Sequence, residues 1–494
     1  MKESISVVWL KRDLRLEDNE AIYRALNSGR RVLLLYIFEN ILLTDPHYSK
    51  RHFNFIKESL NDLNFYLKDY KTEVLTVISD LPNVFNQIQS LYRVDTVYSH
   101  VETGLLVTYN RDKEFRRYCR NNFVNWSESK NNGVERGLVN RENWFENWET
   151  YMRQPQFKFK ATAQQFLNIK DIQPLIELTH SADLHTPLSS KFQKGGTTTG
   201  WKYAKSFFES RHKTYMYGIS KPEDSRISCS RLSPYIAWGN LSIRQVFQKA
   251  KEIKSKSKDK RHLSAFISRL RWQAHFIQKF EMEHTMEEAS VNKGYHKLKK
   301  KISIAYQKAW EEGQTGFPLV DASMRCLIET GYVNFRMRAM LVSFFTHILW
   351  QPWQNSSAHL SKQFLDFEPG IHFPQLQMQA GETGINNLRI YNPTVNGLKH
   401  DAEATFIKTW VPELRVLPTP FVHEPYLLTE LEQQFFKFKL GKDYPLPIVS
   451  IKENRKRASD ILWNMKTDPD VITESKRILN RHTITHRNRL LRDE

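Results

Sequence analysis

SVVWLKRDLRLEDNEAIYRALNSGRRVLLLYIF, residues 6–38, reads as a strand, a charged turn, an amphipathic helix and a second strand. The β-rich runs are SVVWL (6–10) and RVLLLYIF (31–38), and NEAIYRALNS (19–28) between them spaces its apolar residues as a helix does. Outward from this unit the alternation continues. EVLTVI (73–78), DTVYSH (95–100) and NFVNW (122–126) read as further strands, and HFNFIKESLNDLNFYLKDY (52–70) as a helix. Strands separated in this way by helices predict a parallel, doubly wound α/β sheet over residues 1–130. Such sheets bind ligands at the carboxyl ends of their strands. The first strand, however, runs into KRDLRLEDN with no glycine-rich phosphate loop. Any nucleotide-like ligand there is held by something other than the usual dinucleotide fingerprint.

Residues 131–199 form a long connection containing NRENWFENWETYM (140–152), a Pro/Gln segment and the polar tract SSKFQKGGTTTG (189–200). This reads as an interdomain linker. From about residue 200 to 494 the patterns are helical, as in WKYAKSFFESR, AFISRLRWQAHFIQKF and FRMRAMLVSFFTHILW. The expected architecture is an α/β domain, a linker and a large all-α domain.

The 494 residues carry a formal net charge of +19, with 12 Trp, 30 Phe and 20 Tyr. A basic excess of that size attracts a polyanion, and an aromatic-rich basic chain suits nucleic acid. Three scattered cysteines, Cys119, Cys229 and Cys326, exclude a four-cysteine zinc or iron–sulfur centre and fit a reducing compartment. No apolar run reaches membrane-spanning length, and the N-terminus does not read as a signal peptide. The expectation is a cytoplasmic monomer without a metal.

An ordered series of segments resembles the DNA photolyase/cryptochrome family. In the helical half these are SRLSPYIAWGNLSIRQV (230–246), FISRLRWQAHF (266–276), EEGQTGFPLVDASMRCLIETGYVNFRMRAMLVSF (311–344), DFEPGIHFPQLQMQAGETGIN (366–386), RIYNPT (389–394) and GLKHDAEATFIKTWVPEL (397–414). VVWLKRDLRLEDNEAI and ETGLLVTYNRD (102–112) resemble segments of its N-terminal half. The resemblance implies a Rossmann-like domain with room for a second, antenna chromophore of folate or deazaflavin type. It also implies a helical domain holding FAD beneath a basic groove, and light-driven repair of a flipped pyrimidine dimer in DNA. A cryptochrome-type photoreceptor that signals without repair is the alternative.

The resemblance gives individual residues roles. Ser228, Ser230, Arg231, Leu232 and Ser233 match the FAD diphosphate loop, with Cys229 where Thr is frequent, and Tyr217 matches a tyrosine that helps cover the cofactor. A helix N-terminus beginning there would add donors for the anion. Arg338 and Asp366 match an ion pair beside the flavin ring, Glu368 a second carboxylate, and His372 the group facing flavin N5, where it is expected to titrate near neutrality. Trp272 and Met378 fall on the two walls of the dimer pocket, the second wall having lost its tryptophan. Arg269 stands where a carboxylate often does, and Phe335 where an asparagine is usual. Arg336, Arg269 and Lys399 are the candidate DNA contacts, with the basic runs 251–262, 297–301 and 475–492 behind them. The three-tryptophan relay of the family matches Leu376, Trp353 and Lys300, so only Trp353 survives. Trp350, Tyr306 and Tyr391 join it as candidates for another electron route.

Overall fold

In the computed structural model, which describes residues 2–179 and 191–484, the chain opens with a five-stranded parallel sheet. Its strands are β1 (Ser4–Leu10), β2 (Arg31–Glu39), β3 (Val74–Ser79), β4 (Arg93–His100) and β5 (Asn125–Ser129), in the order β3-β2-β1-β4-β5. Successive side chains point to opposite faces. Ile5, Val7 and Trp9 thus join Leu33, Leu35 and Val77 under the helices Leu81–Leu91 and Leu106–Asn121. Val8 and Leu10 join Val32, Leu34 and Tyr36 under Glu20–Leu26 and Lys50–Leu67. Burial on both faces is why the strands read as unbroken apolar runs.

β5 differs from its expected place at 122–126. The Leu106–Asn121 helix runs on, Phe123 takes a left-handed φ of 55° and stands 95% exposed, and the strand starts only at Asn125. The connection 131–199 is also more ordered than a tether. Its helix Trp144–Arg153 buries Trp144, Phe145 and Trp148 in the core shared with the helical half. A second, Ile169–Thr179, lays Ile172 and Leu175 on the sheet. Residues 189 and 190 of the polar tract lie outside the described residues.

The helical half begins with Thr197–Glu209 and includes Ile243–Lys256, Lys260–Met282, Pro318–Thr330, Phe335–Ser343, Trp353–Gln363 and Pro369–Gln379. The Lys260–Met282 and Pro369–Gln379 helices pack closely. A Cβ on Gly370 would lie 2.9 Å from the Ile277 Cα, and Phe280 stacks on Phe373 with centroids 5.6 Å apart. The KRDLRLEDN turn works as a clasp between the halves. Arg12 Nη1 donates to Phe367 O at 2.9 Å, Arg15 Nη1 to Gly239 O at 3.0 Å, and Asp18 pairs with Arg244. At Gly239, with φ 73°, a Cβ would fall 2.2 Å from Arg12 O, so no side chain fits there. The turn lacks a phosphate loop because its backbone and charges are committed to the helical half.

Candidate functional site

Arg211 shapes the loop from Ser228 to Ser233. Its guanidinium donates to the carbonyls of Ile227, Cys229 and Ser230, tying three loop acceptors to one cation. Arg231, buried and at a left-handed φ of 60°, lies 3.8 Å over the Tyr332 ring and donates to Gln193 Oε1 at 2.9 Å. Among the described residues no carboxylate pairs with it and its Nε has no partner, and burial pulls its pKa down. A buried cation without a counter-charge is costly unless an anion arrives. These residues therefore fit a diphosphate. The helix that follows, Ser233–Ala237, is a single turn with Leu232 as its cap. The attraction rests on Arg231 and loop donors rather than on a long helix dipole. Ser230 and Ser233 are half-buried and Ser228 is buried beside them. Tyr217 is 70% exposed with its ring edge-on to His262 at 5.2 Å, while Tyr215 turns inward.

Arg338 and Asp366 meet in a two-point fork, Nη1 to Oδ1 at 3.0 Å and Nη2 to Oδ2 at 2.9 Å. Two parallel charge-assisted bonds fix both planes. Arg338 also lies 4.2 Å over the Phe364 ring and donates through Nε to Val333 O. Glu368 caps the Pro369–Gln379 helix and pairs at 3.7 Å with Arg12, which also lies over Trp238 and beside Glu102. Burial raises Glu368 to about 7 against the pull of Arg12. Sequence reasoning missed Arg12 and Gln193, whose partners lie far along the chain, and Arg211, whose bonds go to backbone carbonyls that carry no sequence signal.

His372 is boxed in by Phe364, Phe367 and Phe373, with Nε2 against Ser357 O at 3.1 Å and Ser357 Oγ at 3.2 Å. Burial drives its pKa down to about 3. The expected titration near neutrality is corrected: the ring stays neutral across the physiological range. Trp272, half-buried, packs against His275 and Phe276 of its own helix, and Met378 is half-buried on the neighbouring Pro369–Gln379 helix. Arg269 is exposed and lies beside the Tyr215 hydroxyl, and Phe335 is half-exposed. Arg336 and Lys399 converge on His400, whose pKa falls to about 4 through burial and those two cations. Two lysines of the run 297–301 are committed to ion pairs. Lys297 is paired with Asp468 and Asp470, and Lys300 with Glu382. Residues 485–492 of the last basic run lie outside the described residues.

At the carboxyl ends of β1, β2 and β4 the charges are committed to one another. Arg111 pairs with Glu39 at 2.5 Å, Glu102 at 2.7 Å and Asp112 at 2.8 Å, Lys11 sits 4.0 Å from Asp112, and Asp13 bonds His100 at 2.7 Å. Lys11 Nζ has no hydrogen-bond partner among the described residues. Among the described residues no three of His, Cys, Asp and Glu gather as a metal site, and no helix is long and apolar enough to cross a membrane.

A parallel α/β sheet clasped to a helical half, with a cationic loop on one side and a forked arginine–aspartate pair on the other, defines a two-domain protein built for a dinucleotide-like cofactor. Residues 6–162 match the family model of DNA photolyase, and residues 266–464 that of the FAD-binding domain of DNA photolyase. The deoxyribodipyrimidine photo-lyase of Alkalihalophilus pseudofirmus is 24% identical over 92% of this chain and 97% of its own. A cryptochrome DASH of Synechocystis is 25% identical over 91% and 96%. Among solved structures, a Synechocystis cryptochrome superposes with a TM-score of 0.81 at 21% identity, covering 93% of this chain and 99% of that one. A class III photolyase of Agrobacterium tumefaciens also gives 0.81, at 22% identity over 95% and 99%. The chain belongs to the DNA photolyase/cryptochrome family, and its helical half is that family's FAD-binding domain.

Proposed function

We propose that this chain is a deoxyribodipyrimidine photolyase, a cytoplasmic monomer that splits pyrimidine dimers in DNA under blue light. The observation that supports it best is the presence of both a buried Arg231 with no carboxylate partner among the described residues, suited to the diphosphate of FAD, and the forked Arg338–Asp366 couple, suited to its ring system. FAD bound there would supply light-driven one-electron chemistry for splitting the dimer. Arg231 and the Ser228, Ser230 and Ser233 hydroxyls hold the diphosphate. Arg338, kept in place by Asp366, stabilises negative charge on the ring system, a tuning of electronics that the protein contributes. Neutral His372 offers a hydrogen bond and no charge. Trp272 stacks on an extruded base, Met378 closes the pocket with an apolar wall, and Arg269 donates to dimer carbonyls. Arg336 and Lys399 take phosphates of the strand from which the base is flipped.

Pure protein, with its flavin chemically reduced beforehand, should restore dimer-bearing DNA under blue light and not in the dark. A flavin-loaded protein that leaves both cyclobutane and 6-4 photoproducts intact would refute repair. A photoreceptor role then stands as the second reading. It draws on Arg269 in place of a carboxylate and on cryptochromes among the relatives.

A further inference from the structure

Trp353 opens the Trp353–Gln363 helix and is fully buried. Its indole N–H donates to Ser290 Oγ at 3.0 Å, and the Ser290 hydroxyl donates onward to Glu382 Oε2 at 2.6 Å. The other oxygen of that carboxylate accepts from Lys300 Nζ at 3.0 Å, and Lys300 also donates to Thr346 O at 3.3 Å. Ser290 and Glu382 are buried, and the Lys300 side chain is only 2% exposed. Four residues from separate stretches of chain thus form a continuous line running from an indole donor to a carboxylate acceptor.

As a purely structural device this line is expensive. A backbone carbonyl would satisfy an indole N–H, whereas the chain buries an ion pair that costs several kcal/mol per ion to desolvate before its bonds offset it. The two cations at Trp350 point the same way. Lys300 lies 4.9 Å and Arg457 5.6 Å from that ring, which disfavours positive charge on it. Trp353 has no cation over its ring among the described residues and a proton acceptor wired to its nitrogen. An indole that has lost an electron is a far stronger acid than the parent indole, so a line of this kind matters only when Trp353 is oxidised.

We propose that oxidation of Trp353 is coupled to transfer of its indole proton through Ser290 to Glu382. One electron leaves the indole for a photoexcited, oxidised flavin. The indole N–H bond breaks and its proton passes to Ser290 Oγ, while the Ser290 hydroxyl proton passes to Glu382 Oε2. A neutral indolyl radical, a protonated Glu382 and a still-cationic Lys300 remain. Loss of the proton traps the charge separation that the missing outer tryptophan would otherwise prolong. Lys300 is a positioning residue, holding Oε1 so that Oε2 faces Ser290. The inference rests on the flavin reading of the site.

The test is transient absorption of the FAD-loaded protein after a blue flash, in H2O and D2O. In the wild type the tryptophan radical cation should convert to the neutral radical, more slowly in D2O. Ser290→Ala leaves the Lys300–Glu382 pair intact and should slow that conversion by about a hundredfold, the scale of a positioned proton acceptor. Its yield of stably reduced flavin should fall as well. Trp353→Phe should remove the tryptophan signal. Equal conversion rates in wild type and Ser290→Ala, with no isotope effect, would overturn the proposal, as would a full radical signal in Trp353→Phe. Protein that takes up no FAD would refute the flavin reading itself before any flash is fired.

Discussion

Two charge-rich regions of this molecule differ in one respect. At the carboxyl end of the sheet, Arg111 is matched by Glu39, Glu102 and Asp112, and Arg12 by Glu102 and Glu368. In the helical half, Arg231 is equally buried and among the described residues meets a glutamine and an aromatic face but no carboxylate. A cluster that balances its own charge needs no anion to neutralise it, although the fold offers a crevice there. A cation left unbalanced leaves that role to an anion.

The contrast can be broken by exchanging the consequences. Arg111→Met strands three buried carboxylates and should cost about 3–5 kcal/mol of folding stability, measured by urea denaturation, with FAD affinity of the folded fraction unchanged. Arg231→Met should do the reverse. Apoprotein stability should hold or rise, while FAD binding weakens by about tenfold to a hundredfold, the worth of one charge-assisted hydrogen bond. If both variants lose stability alike, the distinction between balanced and unbalanced charge fails.

Acid sharpens the comparison further. His372 keeps its proton off down to about pH 3, whereas the unfolded chain binds one near 6.5. Its contribution to stability is therefore complete above about pH 6.5 and is lost as pH falls toward 3. His372→Gln should flatten the acid limb of the stability curve by about one proton. An unchanged slope would mean that the ring is charged in the native state. The smallest effect is at the surface: Arg336→Ala and Lys399→Ala should each reduce the slope of log affinity for DNA against log salt by about 1.

The sheet was legible in the sequence because burial on both faces leaves continuous apolar runs, and the helical half because its spacing repeats. β5 slipped by three residues because NFVNW carries the composition of a strand while the left-handed turn at Phe123 sets where the strand begins. Arg338 and Asp366 could be paired from resemblance alone. Gln193 behind Arg231, Arg12 behind Glu368 and Glu382 behind Lys300 could not, since each pair joins residues tens to hundreds of positions apart without a shared motif. The same distance hid the partners of two lysines of KLKKK, Lys297 and Lys300, whose acids lie in later segments.

The most direct measurement is a titration of FAD into the purified chain, followed by quenching of flavin fluorescence, for the wild type, Arg231→Met and Arg338→Met. One FAD per chain is predicted, with both variants markedly weaker and Arg111-side substitutions without effect on affinity. No binding, or binding that neither arginine influences, would contradict the cofactor site set between these two residues.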